Sequence, residues 1–481
     1  MHPRQALSSG IERVMSIRPE RLARWVSCLA FAGTTLLAAE SQADIEFYSK
    51  DDWTLSTDGR FNAFISYTNG SGIPLGKQVP VLDDMGNPVI DPATGQPQME
   101  EGQPPNVAGA GLEESTDNDN NVENFRVRSG FVASILGFTG KKQISEDLSA
   151  TGRIALWAVS ENARASLATN RPDVRNVFFR LDGGFGGLLL GRDLALFSRG
   201  AIETNFMYGH ANGLGAPCQV HDIGPTCGHV GFGVFFPAFN AGVVYNTPDL
   251  GGLKVTAGVY DPATYKQANF VRTPLPRLES EVTYDIGDDE NSGFKIHAFV
   301  NGLWQRLVEA GNPRQPKQIL TNNAWGVGAG VRAEVEAGSG WLKMGAAGHT
   351  GKGVGLTLPI EDTPNNAREF TDPVTDPATG MQVGERRRIE LRKSNGMFFQ
   401  AMYSIDPIDV MVGYGVSRMV ELPEDVVDFN LIREQRGIST GLFYHFDPVV
   451  LGIDYFRADY EWHKGETQGV NTINLGGTLL W

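Results

Sequence analysis

The chain has 481 residues, 56 of them acidic and 41 basic, for a formal charge of −15. That balance argues against a nucleic-acid partner, whose phosphates call for a basic face. Beyond Ala43 no apolar run is long enough for a membrane helix. A membrane is not excluded by this, because a β-barrel spans lipid with strands whose other face is polar.

Residues 1–43 read as an export signal. Arg18, Arg21 and Arg24 precede an apolar run from Trp25 to Ala39, and Ser41-Gln42-Ala43 offers small residues to a signal peptidase. Cys28 lies inside the apolar run, which argues against a lipid anchor. The mature domain is then 44–481. Its first strand is expected over 53–68, where Trp53, Leu55, Thr57, Gly59, Phe61, Ala63, Ile65 and Tyr67 alternate with mostly polar residues. A long loop, 69–122, is rich in Pro, Gly, Asp and Asn. Its Asp117, Asp119 and Asn121 are spaced like the start of a calcium loop, but Arg128 stands where the bidentate acid belongs, so no metal is expected there.

The next strand, 123–139, is expected to turn Phe125, Val127, Phe131, Ala133 and Ile135 to lipid and Arg126 and Arg128 inward. Strands over 148–160, 173–183 and 186–194 follow, the last two joined by the tight turn at Gly184-Phe185. A long connection over about 195–238 holds His210, His221, His229, Cys218 and Cys227. The Cys-x8-Cys spacing is not a usual zinc pattern, and an oxidising compartment favours a Cys218–Cys227 disulfide, so no metal is expected here either. Further strands are expected over 239–247, 252–260, 277–286, 293–304, 323–337 and 340–350. A second long loop, 351–387, precedes those over 388–405, 408–421, 430–446, 449–462 and 469–481. That makes about sixteen strands of bilayer-crossing length, with short turns on one side and long loops on the other: an all-β transmembrane antiparallel barrel. Strand parity also points Arg60, Arg153, Arg180, Arg388 and Arg392 inward; that of Arg192 stays open after Leu188, Leu189 and Leu190.

The last residues resemble the C-terminal insertion signal of outer-membrane barrels: Asn474, Gly476, Leu479 and Trp481 fill its polar, glycine and two hydrophobic places. The chain as a whole resembles the Gram-negative general porins. The carriers are Gly183-Gly184-Phe185-Gly186-Gly187 followed by three Leu and Gly191-Arg192-Asp193, then Leu136 to Gly140 with Glu146-Asp147-Leu148, and Asn246-Thr247-Pro248 with Gly251-Gly252-Leu253.

The resemblance implies a homotrimer of sixteen-stranded barrels in the outer membrane of a Gram-negative bacterium. Its partners would be the lipid bilayer, lipopolysaccharide, the insertion machinery and small hydrophilic solutes, with no cofactor. It implies that 195–238 is a third loop folded into the barrel. Acids on that loop, Glu203 and Asp222 with Asp193 at its root, would face a basic wall of Arg60, Arg126, Arg128, Arg153, Arg180, Arg192, Arg388 and Arg392. A field across such an eyelet aligns dipolar solutes and rejects apolar ones. The expected function is passive diffusion of small hydrophilic solutes and ions. A channel selective for anionic or sugar solutes is the alternative. An outer-membrane enzyme is disfavoured, because no serine sits in a defensible nucleophile constellation.

Overall fold

The two-residue period of the sequence becomes a wall with a dry outside. In the computed structural model, strand β1 spans Trp53–Ser71. Its Phe61, Ile65 and Tyr67 are 41–54% exposed, facing outward, while Phe64, Ser66 and Thr68 on the other face are at most 2% exposed. In water such an outer face would be a liability; in hydrocarbon it is the solvated side. The structure describes residues 44–74, 78–80, 88–92, 94–101, 112–160, 173–210, 212–215, 226–262, 270–271, 275–287, 292–309, 321–357, 359–360, 367–423 and 430–481. The expected signal segment 1–43, Cys218, His221 and Asp222 lie outside them.

Fifteen further wall strands follow in chain order. β2 is Asn121–Arg128 continued by Ser134–Ser145, β3 Leu148–Ala158, β4 Asp173–Gly183, β5 Gly186–Leu194, β6 Phe239–Asn246, β7 Leu253–Tyr260 and β8 Arg277–Ile286. β9 is Phe294–Glu309, β10 Thr321–Ala337, β11 Gly340–Lys352, β12 Lys393–Ile405, β13 Ile408–Val420, β14 Ile432–Phe446, β15 Val449–Trp462 and β16 Thr467–Leu480. Each pairs antiparallel with the next, and β1 pairs with β16 from Arg60↔Leu480 to Gly70↔Val470. The ring is a closed sixteen-stranded barrel, which leaves no wall edge unpaired.

The seam between first and last strands is finished by Trp481. Its amide and carbonyl exchange hydrogen bonds with Gly59, at 3.1 and 2.9 Å. Its ring lies 4.9 Å from that of Phe61 on the outer face. A side chain at Gly59 would meet the Trp481 ring, so the glycine makes its seat.

Two sequence expectations are corrected. Strand β2 is not continuous. Phe64 pairs with Arg128 and Arg60 pairs with Ile135, so four steps on β1 face seven on β2. The extra residues turn inward: Phe131, Val132 and Ala133 are at most 5% exposed. Asn62 holds this kink, donating from Nδ2 to the Val132 carbonyl at 2.6 Å and accepting from the Gly130 amide at 3.0 Å. The odd insertion flips the strand's parity. Phe131, Ala133 and Ile135 therefore do not face lipid; Ile135 lies opposite inward Arg60.

The second correction concerns the strand expected from 388. β12 begins at Lys393, and Gln382–Leu391 pairs instead with Ala367–Thr375 in a separate two-stranded hairpin. Both runs alternate well enough to extend the wall in sequence, but they satisfy each other's backbone groups.

Candidate functional site

The segment between β5 and β6 is the largest departure from the wall, and its composition explains where it goes. It carries Leu196, Phe197, Ile202, Phe206, Met207, Leu214, Val230, Phe232, Val234 and Phe235, all at most 5% exposed. Exposed outside the barrel, so much apolar surface would cost far more than packing it against the inner wall. Two short helices form, α1 over Arg199–Glu203 and α2 over Phe206–His210.

The segment's polar groups are met by inward side chains on many strands. The Phe197 amide donates to Glu279 Oε2 of β8 at 2.7 Å, and the Phe206 amide to Gln400 Oε1 of β12 at 2.7 Å. The Gly233 amide donates to Ser417 Oγ of β13 at 2.8 Å, and His229 Nε2 shares a 2.7 Å hydrogen bond with Ser439 Oγ of β14. Thr478 Oγ1 of β16 donates to the His210 carbonyl at 3.2 Å. From the β2 side, Arg128 Nη2 donates to the Gly215 carbonyl at 2.8 Å, and the Phe131 amide in the kink donates to the Asn212 carbonyl at 2.6 Å.

Bare backbone on the wall makes room for this packing. A Cβ at Gly326 of β10 would strike the Phe197 ring, and one at Gly415 of β13 would collide with the Phe232 carbonyl oxygen.

The nominated charges divide into three groups. Arg60, Arg126, Arg128, Arg153 and Arg180 face the interior. Arg126 Nη2 meets Glu113 Oε2 at 3.0 Å, with the glutamate side chain fully buried. Arg153 Nη2 donates to Asp58 Oδ2 at 2.7 Å. Arg180 pairs with Asp182 at 2.7 Å and donates to Asn246 Oδ1 at 2.8 Å. Arg60 and Arg128 are 5% and 1% exposed. Asp193 also faces inward, accepting from Asn176 Nδ2 at 2.7 Å. Arg392 is buried beside the start of β12, its carbonyl accepting from the Gly353 amide at 2.8 Å.

Two placements are corrected. Arg192 is exposed and pairs across with outward Val177, because Leu189 and Asp193 take the inward parity of β5. Arg388 belongs to the outer hairpin, where its Nε donates to Asp372 Oδ2 at 2.8 Å and its Nη1 to Glu390 Oε1 at 3.2 Å. Glu113 lies in the first loop, yet it is sealed against β2, where Asn124 Nδ2 also donates to its Oε2 at 3.1 Å.

Glu203 ends α1, a quarter exposed. Arg199 lies 3.9 Å away and binds Glu281 Oε1 of β8 through Nε at 2.9 Å. Arg332 of β10 donates from Nη1 to the Glu203 carbonyl at 3.5 Å and from Nε to Glu334 Oε1 at 2.6 Å. Burial lifts the Glu203 carboxyl above the ordinary glutamate range, with Arg199 opposing and Glu281 reinforcing. His229, sealed in the segment, is held down to about 3 by burial and stays neutral.

The sequence reading missed Glu279, Glu281, Arg199 and Arg332. A signal was present: Arg180-x-Asp182, Arg277-x-Glu279, Arg332-x-Glu334 and Arg457-x-Asp459 each place opposite charges two apart on one strand. Two apart means the same face, and all four form ion pairs.

The Gram-negative porin family model matches residues 26–478. The chain belongs to that family. It is a porin of the outer membrane, crossing it many times, and such a barrel is a channel for passive diffusion. Among solved structures it is similar to the outer membrane channel DcaP of Acinetobacter baumannii, at 12% identity and TM-score 0.53, over 90% of this chain and 99% of that one. It is also similar to an anion-selective porin from Comamonas acidovorans, at 13% identity and TM-score 0.51, over 89% of this chain and all of that one. At such identities the likeness is one of fold. A search among curated proteins finds no match.

Proposed function

We propose that this porin passes small hydrophilic solutes and ions through a lumen narrowed by the segment 195–238. The observation carrying the reading is that one segment hydrogen-bonds to inward side chains on β2, β8, β12, β13, β14 and β16. Ties to strands so far apart around the ring support a path across the lumen.

The wall arginines do not act as a free basic face in this reading. Arg126, Arg153, Arg180 and Arg332 each meet a carboxylate. Around α1, the carboxylates Glu203, Glu281 and Glu334 face the guanidiniums of Arg199 and Arg332. The excess negative charge rests on Glu203, whose partner is the most distant, and gives the lumen a cation preference. A narrow, poorly hydrated passage amplifies one such charge. The proposal also includes a homotrimer in contact with lipopolysaccharide, export directed by 1–43, insertion guided by Asn474, Gly476, Leu479 and Trp481, and a Cys218–Cys227 disulfide. Of that pair, Cys227 is buried.

Planar-bilayer recording under a salt gradient tests the reading. Wild type should show ohmic channels with a cation-leaning reversal potential, and Glu203→Gln should move it toward anions. Equal potentials for both proteins would mean that α1 does not border the path of the ions.

A further inference from the structure

The end of α2 carries a cluster that solute passage does not require. His210 Nε2 lies 3.2 Å from Asp409 Oδ2, and His445 Nε2 lies 2.8 Å from the same oxygen. The three atoms lie within 4.8 Å of one another. Asp409 is the second residue of β13 and His445 the penultimate residue of β14, both on the inward face. His210 comes from the segment that crosses the lumen. Its ring is stacked on Phe443 at 4.2 Å and 8°, and its carbonyl is held by Thr478. His210 and Asp409 are 8% and 7% exposed, while His445 keeps a quarter of its side chain open.

We propose that His210, Asp409 and His445 bind a divalent first-row transition ion, zinc foremost, which ties the inward segment to the wall. Two imidazole nitrogens and one carboxylate oxygen form the donor set of three-ligand zinc sites, whose fourth position stays open. With bonds of about 2.0–2.1 Å, the edges of a tetrahedral site measure about 3.3 Å. The two nitrogen–oxygen separations, 3.2 and 2.8 Å, are near that edge, and the two nitrogens lie within 4.8 Å of each other, so small side-chain shifts would seat the ion. Each imidazole would lose its Nε2 proton to solvent and carry its single ring proton on Nδ1, freeing the Nε2 lone pair for the ion, while the carboxylate stays ionised. The ion would replace two N–H···O hydrogen bonds by three coordinate bonds. Because two ligands belong to the wall and one to the crossing segment, occupancy acts as a removable cross-link.

The experiment uses the mature chain, folded in detergent and stripped with a chelator, then titrated with zinc alone. Heat-modifiable migration on gels verifies the fold of each variant. One zinc per chain is expected. Asp409→Asn and His445→Gln should each weaken binding at least tenfold, and His463→Gln, which pairs elsewhere with Glu421, should leave it unchanged. Copper substituted into wild type should show hyperfine coupling to two nitrogens, a readout that needs no variant. Zinc should also quieten current fluctuations in wild type and not in His445→Gln. Absence of stoichiometric zinc, unchanged affinity in both site variants, or a copper spectrum without nitrogen coupling would leave a hydrogen-bonded latch and overturn the site. The metal count is independent of conductance, so it stands or falls apart from the solute path.

Discussion

The inward segment 195–238 and the hairpin 367–391 are both long interruptions between wall strands, and they resolve in opposite ways. In the inward segment the described apolar side chains are sealed, Leu196, Phe197, Val234 and Phe235 to 0% exposure. In the hairpin the tip residues Met381 and Val383 are 67% and 64% exposed and the ion pairs of Arg388 run to its own strands, while at its base Ile389 and Leu391 join the buried cluster of Phe197 and Phe235. Length and glycine content mark both as loops. Apolar content decides direction: a segment rich in Phe, Leu and Val gains by covering the inner wall, whereas the hairpin tip, with few such residues, stays exposed.

The largest expected effect comes from unseating the inward segment. Gly415→Leu forces a side chain into the Phe232 carbonyl, an overpacking cost of about 1–3 kcal/mol. The segment should yield rather than the ladder, raising single-channel conductance and its noise while the barrel stays heat-modifiable. Unaltered conductance would erase the contrast, since the segment would then be as peripheral as the hairpin.

Arg126→Ala should come next. It removes the guanidinium that meets the buried Glu113 carboxylate, while Asn124 Nδ2 still donates to it; breaking such a pair costs about 3–5 kcal/mol. The temperature of heat modification should fall, while the reversal potential moves little, because the pair was neutral as a unit. A large selectivity change with normal thermal behaviour would show instead that Arg126 acts as an open charge.

Smaller, and specific to selectivity, is Glu203. Its carboxyl titrates above the ordinary glutamate range, so it becomes neutral earlier as pH falls. Wild type should therefore lose cation preference between pH 8 and mildly acid pH, and Glu203→Gln should show the weaker preference at every pH. Parallel titration of both proteins would assign the effect to other acids. The smallest effect belongs to the hairpin. Removing the tip, 374–384, which leaves Ile389 and Leu391 in their cluster with Phe197 and Phe235, should change conductance and reversal potential only slightly in physiological salt, where charges beyond about 8 Å are largely screened.

Much of the wall was legible because period-two alternation is local. Leu278, Val282, Tyr284 and Ile286 face outward and Glu279 and Glu281 inward, as their alternation requires. The kink in β2 was not legible, since Phe131, Ala133 and Ile135 fit a lipid-facing strand just as well; only pairing with β1 reveals three extra residues. Arg192 was ambiguous beside three leucines for the same reason. Arg388 was misplaced because a strand of an outer hairpin and a strand of the wall share one local pattern. The meeting of His210 with Asp409 and His445 depends on how 195–238 packs against β13 and β14, which no spacing encodes.

The arginine–carboxylate pairs within single strands carry one more consequence. Arg180 with Asp182, Arg277 with Glu279, Arg332 with Glu334 and Arg457 with Asp459 are each complete on one strand. Sliding such a strand past its neighbour neither breaks these pairs nor makes new ones. These four pairs are therefore blind to the shear of the barrel, whereas Arg153 with Asp58 of β1 and Arg418 with Glu434 of β14 do report on other strands. The stagger has to be chosen by the backbone ladder, the in–out alternation and features such as the Asn62-held kink. These four strands each bring their own counter-ion, so those guanidiniums need not wait for a later strand while the ring is still open.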